Sequence, residues 1–148
     1  WSVVLAEGAS PCALGGDCLV PVGEAWLLDA PMDVRTLTVE GALLWDTSQA
    51  RLRLSAGYIV VHGAGSLAVG SREAPMALEA TVYLKANGAA HPVLGTRFLA
   101  AHATEDGAVP ELEIHGRPLA RTWSLLAADR AAGDRALRLA HSPEAMGW

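Results

Sequence analysis

Two glutamates have the spacing of an acid–base pair. Glu111 and Glu113 stand two residues apart in an alternating stretch, so both side chains should point to one face of a strand, with Leu112 and Ile114 on the other. Paired carboxylates on the outside of a β-helix can cleave glycosidic bonds. Two neighbouring outward acids are much more often a solvated face. We therefore expect a solvated face and assign no catalytic residue.

Two histidines end alternating stretches and could act together. His62 stands directly before Gly63, and His115 directly before Gly116. If the two imidazoles stacked in neighbouring coils, they could share a metal ion or a substrate. No cysteine or carboxylate is placed to complete a coordination shell, so we expect solvent-facing strand ends, no metal and no cofactor. The remaining histidines are assigned to loops without a pattern: His91, His102 and His141.

A glycine-rich stretch has part of the spacing of a phosphate-binding loop. Gly65 and Gly70 match the two glycines of that motif, but Ser71 and Arg72 stand where it requires a lysine and a hydroxyl residue. Apolar residues also alternate through the stretch, as they do in a strand. We therefore expect no nucleotide to bind here.

Three tryptophans, Trp26, Trp45 and Trp123, lie in or at the end of predicted strands. Their rings could form a platform on which a sugar stacks, but a strand tryptophan more often packs in the core or against a lateral neighbour. We expect packing at all three positions.

The two cysteines of the chain, Cys12 and Cys18, are separated by a short loop that contains Gly15 and Gly16. The glycines let the loop bend back, which favours a disulfide that stabilises the fold by about 2 kcal/mol and indicates an oxidising compartment. Two reduced thiols in a cytosolic loop are the alternative. A metal site is less favoured because no third ligand lies nearby.

A repeated pattern of short strands must position all of these residues. Alternating apolar residues, a glycine and more alternating residues occupy 37–45 and recur at 59–69, and Leu37 and Ile59 are 22 residues apart. Such a period indicates a coil whose turns stack on one another. We expect an all-β fold, either a right-handed β-helix or solenoid-like coil or an irregular β-sandwich of short strands. Glycines are expected to permit its bends at Gly23, Gly41, Gly63, Gly65, Gly70 and Gly116.

The alternation predicts individual strands along most of the chain. In residues 51–54, Leu52 and Leu54 should point inward and both arginines outward. Ser142 followed by Pro143 has the signature of a helix start. The other predicted strands are residues 1–5, 25–28, 34–39, 42–45, 58–61, 66–69, 78–84, 97–101, 111–114, 121–126 and 136–139. The absence of an internal linker favours one domain over residues 1–148, which we expect to be a segment of a longer protein.

Charge and hydropathy exclude several classes of partner. The net charge of the 148-residue chain is −5 and its lysines and arginines form no run, so binding to nucleic acid is not expected. The longest stretch without charge, residues 54–71, is rich in glycine and alternates by two, which indicates strands and no insertion into a membrane.

Taken in order, these motifs resemble the G8 domain, a glycine-rich extracellular module. The matching residues are 20–23 leading to 27–29, then 37–43, 59–70, 112–116 and 122–125. The chain departs from the family pattern in its richness in alanine and in having Asn87 as its only asparagine. The matching positions are glycines and apolar core residues, so the resemblance carries over no catalytic residue.

The resemblance to the G8 family implies a location and a role. G8 domains occur in fibrocystin-like proteins and in cell-migration-inducing hyaluronan-binding proteins, which implies an ectodomain at the cell or ciliary surface, or a secreted one. The implied role is a non-catalytic structural or ligand-binding module. Its partners would be flanking domains of the same polypeptide and an extracellular glycan or protein. The alternative is a part of a β-helix enzyme that degrades a glycan such as hyaluronan.

Overall fold

The computed structural model describes residues 12–49 and 51–147. The chain divides into two compact units, one ending at Gly116 and one beginning at Arg117, and each is described by itself. The expectation of a single domain over residues 1–148 stays a prediction. The strand predicted at residues 1–5 lies outside the described residues.

Short strands make up the first unit. The alternation of inward apolar and outward polar residues is clear in β6, where Leu52 and Leu54 are buried and both arginines are exposed as predicted. The strands are β1 (Asp17–Val20), β2 (Ala25–Leu28), β3 (Met32–Asp33), β4 (Thr36–Val39), β5 (Ala42–Trp45), β6 (Arg51–Ala56), β7 (Ile59–His62), β8 (Ser66–Val69), β9 (Glu79–Leu84), β10 (Leu99–His102) and β11 (Glu111–Ile114).

These strands form three parallel sheets. The first sheet has the order β1-β4-β7-β10, the second β2-β5-β8-β11 and the third β3-β6-β9. Successive strands pass from one sheet to the next, so every third strand pairs in parallel with its predecessor on the same face. This coiled arrangement is a β-helix, which confirms the predicted solenoid and differs from the antiparallel sheets of a sandwich.

The interior is a set of apolar columns that run across the rungs. Leu37 lies beside Ile59 in the first sheet, and Leu43 lies beside Leu67 in the second. All four side chains are at most 1% exposed. Full burial of such a side chain contributes about 1.5–3 kcal/mol, so these columns account for much of the stability of the coil. The column predicted from the spacing of Leu37 and Ile59 is confirmed.

Two glycines form the bend between the first and second sheets. Gly41 precedes β5 and Gly65 precedes β8, so they occupy equivalent corners of adjacent rungs. A Cβ on Gly41 would lie 2.2 Å from the carbonyl oxygen of Pro21, and a Cβ on Gly65 would lie 2.2 Å from that of Val39. Ordinary contact begins near 3.4 Å, so only glycine lets the backbones approach this closely.

Several predictions about individual strands are wrong. Residues 17–20 form β1 and Met32–Asp33 forms β3, and neither strand is among those predicted from the sequence. Residues 121–126 and 136–139 form no strand. Apolar and polar residues alternate in both of these segments, but an alternating segment forms a strand only where a partner strand is available to pair with it.

The second unit has little regular structure. Leu126 and Leu139 form one antiparallel bridge, which the backbone hydrogen bond from Ala127 N to Arg138 O supports at 2.8 Å. Helix α1 (Pro143–Met146) begins after Ser142, as predicted, although the Ser142 side chain makes no capping hydrogen bond. No helix in the described ranges is both long and apolar enough to span a bilayer.

Candidate functional site

The outer face of the first sheet carries a groove of about 410 Å³, which we call the histidine groove. Its floor is Thr38 of β4 and Val60 of β7, which are cross-strand partners. Val60 is only 5% exposed although it points away from the coil interior. Val60 therefore gives the floor an apolar part that is largely shielded from water, beside the half-buried Thr38.

One wall of the groove consists of two stacked imidazoles. The parallel register places His102 at the end of β10 beside His62 at the end of β7. Their ring centroids are 5.4 Å apart and the ring planes differ by 9°. Glu40 lies on the same wall, with its Oε1 3.8 Å from His62 Nδ1. The wall therefore offers ring nitrogens that can donate or accept hydrogen bonds, together with a carboxylate that accepts them.

An acidic loop lies close enough to His62 to interact with it electrostatically. The pKa of Asp106 is lowered, chiefly by the hydrogen bond that the Thr104 hydroxyl donates to it, next by the backbone N–H of Ala108, and to a smaller extent by His62. Asp106 thus stays ionised at neutral pH. Asp106 and Glu40 therefore both place a carboxylate near His62.

Another wall of the groove, the ring wall, is lined by Tyr58 and His91, which form a cluster with the ring of Phe98. Tyr58 stacks on Phe98 with centroids 5.1 Å apart and planes 6° apart, and His91 packs edge-on against both. The Nδ1 atom of His91 accepts hydrogen bonds from the backbone N–H groups of Val93 at 3.3 Å and Leu94 at 3.2 Å. These bonds leave Nε2 as the protonated nitrogen and hold the 92–94 loop at the rim of the groove.

The groove presents apolar surface and hydrogen-bonding side chains next to each other. An apolar floor, a ring wall and a polar wall together suit a compact molecule with one apolar face and several hydroxyl groups. Over residues 12–49 and 51–147, no three His, Cys, Asp or Glu side chains gather in a way that could hold a metal ion.

His62 and His115 do not pair, so the alternative of a shared metal or substrate between them, which the sequence did not favour, is not formed. His62 stacks on His102, whereas His115 follows β11 of the second sheet and its Nε2 lies 3.2 Å from Glu113 Oε1. The assignment of His102 to a loop is wrong, because it lies in β10, and His91 also has a defined role in the ring wall. His62 and His102 are 40 residues apart, so the 22-residue period gives no signal for their contact.

The predicted acid pair lies on another face of the coil. Glu111 pairs with Ser66 and Glu113 with Ala68, and both side chains point outward from the second sheet, as predicted. Glu111 is exposed and Glu113 contacts His115. This arrangement is that of a largely solvated face.

The remaining predicted sites resolve as structural positions. Leu67 and Val69 are buried in β8, so the stretch from Gly65 to Gly70 is a core strand and not a phosphate loop. Trp26 and Trp45 are buried, which confirms the packing interpretation for both. Trp123 is 57% exposed, so it does not pack in the core but against lateral neighbours, which is the other predicted arrangement. Its ring lies under Arg121 and edge-on to His141.

Comparison with known proteins identifies the family. The sequence matches the G8 domain over residues 6–127, which is most of the chain. The chain belongs to the G8 domain family. It is also 31% identical over 145 residues to fibrocystin-L of Homo sapiens, a match that covers 95% of this chain. The chain spans only about 3% of the length of that relative.

The glycines predicted to be structural in this G8 domain differ in their surroundings. Gly41 and Gly65 allow the close approach described above, and Gly23, Gly63 and Gly70 have positive φ angles. Gly116 has neither a positive φ nor any atom within 4 Å of a built Cβ. A contribution of all six glycines to stability stays a prediction. A further glycine was missed: a Cβ on Gly57 would lie 2.2 Å from Asn87 Oδ1.

The predicted disulfide of the G8 domain is confirmed. Cys12 and Cys18 are bonded, with their Cα atoms 5.4 Å apart. Cys18 is buried in β1, and Cys12 packs against the core from outside it. The disulfide therefore fixes the start of the first rung against the apolar interior.

Proposed function

We propose that this G8 domain is a non-catalytic structural and ligand-binding module in the ectodomain of a large fibrocystin-like protein, and that its ligand occupies the histidine groove. Family membership and the similarity to fibrocystin-L support the type of host protein. The Cys12–Cys18 disulfide supports an extracellular or cell-surface location, because disulfides persist in oxidising compartments. A ciliary surface is one such location.

The structural part of the role follows from the rungs. A complete rung presents one strand to each sheet and contributes side chains to continuous apolar columns, as Leu43 and Leu67 do. A coil of this kind keeps the outer faces of its sheets in fixed geometry. Residues far apart in sequence, such as His62 and His102, are thereby held at a defined spacing.

The ligand that best fits the groove is an extracellular glycan. A sugar ring has an apolar C–H face, which suits the Val60 floor, and hydroxyl groups, which suit the imidazoles and Glu40. The observation that carries this proposal is the stacked pair of His62 and His102 in one groove with the ring wall and the buried side chain of Val60. Flanking domains of the same polypeptide are the other proposed partners.

The experiment is a titration of the isotope-labelled chain with a set of neutral and acidic oligosaccharides, a hyaluronan hexasaccharide among them. We expect amide shifts to concentrate around Val60, His62 and His102 for at least one sugar. His62→Ala should weaken that binding about tenfold, which corresponds to about 1.4 kcal/mol. His115→Ala is the matched control, because His115 directly follows β11 of the second sheet, as His62 ends β7 of the first.

Two results would refute the proposal. Shifts that map elsewhere, or equal loss of binding in the His62 and His115 variants, would show that the groove is not the ligand site. Shortening of the hyaluronan chain that is lost in Glu111→Gln or Glu113→Gln would show that the module is catalytic, as in the alternative of a glycan-degrading enzyme.

A further inference from the structure

A second cleft lies on the outer face of the third sheet, away from the histidine groove. It has a volume of about 370 Å³, and its lining includes Arg53 of β6 and Tyr83 of β9. Ser55 stands between Asp33 of β3 and Tyr83 of β9 in the parallel register. The sheet thus places a cation, a hydroxyl and an aromatic ring side by side.

The cations on this face differ in their ion pairs. Arg51 lies 3.7 Å from Glu79, and Lys85 is paired with Asp33. Among the residues that the structure describes, no carboxylate forms an ion pair with Arg53. In a chain of net charge −5, this arginine keeps its positive charge available at the cleft.

The Arg53 guanidinium is held in place by two contacts. Its Nε donates a hydrogen bond of 3.1 Å to the hydroxyl of Ser55, a residue that is itself 5% exposed. Its central carbon lies 4.5 Å from the centroid of the Tyr83 ring, which is the geometry of a cation–π contact. These contacts occupy one N–H and one face of the guanidinium, so its terminal nitrogens can still bind a carboxylate through two parallel hydrogen bonds.

The other lining residues define the shape and polarity of the ligand that would carry such a carboxylate. Leu14, Pro31 and Met32 supply apolar walls, and the Lys85–Asp33 pair supplies a polar rim. The volume is at the lower end of small-molecule sites, large enough for a single ring. An apolar or amphipathic ring fits the walls better than an extended chain does.

We infer that this cleft binds a carboxylate group carried on a single ring, with Arg53 as the anion-binding residue and Tyr83 and Ser55 as the residues that orient it. The site is independent of the histidine groove, so a negative result for one proposal leaves the other unaffected. It goes beyond that function because it assigns an anion-binding role to the third sheet.

The test is a titration of the isotope-labelled 148-residue chain with cyclohexanecarboxylate, followed by NMR at the Arg53 side chain and at the amides of Ser55 and Tyr83. We expect saturable shifts at these positions. Cyclohexanecarboxamide has the same ring without the charge and should bind at least tenfold more weakly. A carboxamide that binds as well as the carboxylate would overturn the inference.

Three variants assign the effect to Arg53. Arg53→Gln should reduce affinity at least tenfold, and Arg53→Lys, which keeps the charge but loses the paired donors, should reduce it less. Arg51→Gln is the matched control, because Arg51 lies on the same strand and face but is paired with Glu79. The inference would be overturned if Arg53→Gln bound cyclohexanecarboxylate with the affinity of wild type, or if Arg51→Gln lost as much affinity as Arg53→Gln. If Arg53→Gln fails to fold, unchanged binding by Arg53→Lys has the same force.

Discussion

Replacement of Gly65 by alanine is the sharpest test of how the rungs pack. The new methyl carbon would lie 2.2 Å from the carbonyl oxygen of Val39 and 2.9 Å from that of His62, and both oxygens belong to backbone. Ordinary contact begins near 3.4 Å, so the backbone of the adjacent rung would have to move by about 1 Å. A backbone cannot rotate out of the way as a flexible side chain can.

The expected loss of stability follows from this displacement. Forced overpacking in a close-packed region costs about 1–3 kcal/mol. The movement also weakens the hydrogen bonds from Gly65 N to His62 O at 3.0 Å and from Glu111 N to Gly65 O at 2.9 Å, each worth about 1 kcal/mol. With both hydrogen bonds lost, the sum is about 3–5 kcal/mol, a large share of the 5–15 kcal/mol typical of a folded domain. The melting temperature should fall by about 10 °C.

The assay is thermal and urea unfolding followed by circular dichroism, with Gly116→Ala as the matched control. Gly116 also follows a strand and a histidine, but its built Cβ has nothing within 4 Å. We expect Gly116→Ala to change the free energy of unfolding by less than about 0.5 kcal/mol. If Gly65→Ala is as stable as wild type, or if both variants lose stability equally, the close-approach reasoning is refuted.

Three further perturbations test other parts of the fold. Val61→Asp should unfold the first unit, because Val61 is fully buried and the new carboxylate would have no partner; a retained β-type dichroism spectrum and melting transition would contradict this. The pKa of Asp17 is lowered, chiefly by the hydrogen bond from the Thr36 hydroxyl and also by that from the Arg35 guanidinium. The ionised carboxylate therefore stabilises the fold above about pH 4, and this stabilisation is lost as the pH falls further. In urea titrations, the difference in free energy of unfolding between wild type and Asp17→Asn should shrink between pH 5 and pH 2. A difference that stays constant over this range would refute the argument. Replacement of Cys12 and Cys18 by serine should lower the free energy of unfolding by about 2 kcal/mol, and reduction of wild type with a thiol should reproduce that loss.

Alternation of apolar residues is sufficient to predict the strands that have strong local signals. β5 and β8 match their predicted bounds because each begins after a corner glycine and alternates buried with less buried residues. β11 also matches, although its inward residue Ile114 remains 57% exposed. The shared column is predictable as well, because the rung from Leu37 to Ile59 contains no long insertion.

The parts that could not be predicted depend on insertions between strands. The segment between β9 and β10 holds His91 and Asn87, and it lengthens that rung so that His102 follows its partner His62 by 40 residues. A search for a fixed period therefore cannot pair the two histidines. β3 has only two residues, Met32 and Asp33, too few for alternation to be visible. The Arg53–Tyr83 contact depends on the register of β6 and β9, which no local pattern specifies.

The most direct test of the parallel β-helix is the pattern of interstrand nuclear Overhauser effects in the methyl-labelled chain. The register predicts contacts between the methyl groups of Leu37 and Ile59 and between those of Leu43 and Leu67, without the short Hα–Hα contacts of antiparallel pairs. Absence of both methyl contacts, or strong Hα–Hα contacts between these strands, would contradict the fold and with it the placement of both proposed binding sites.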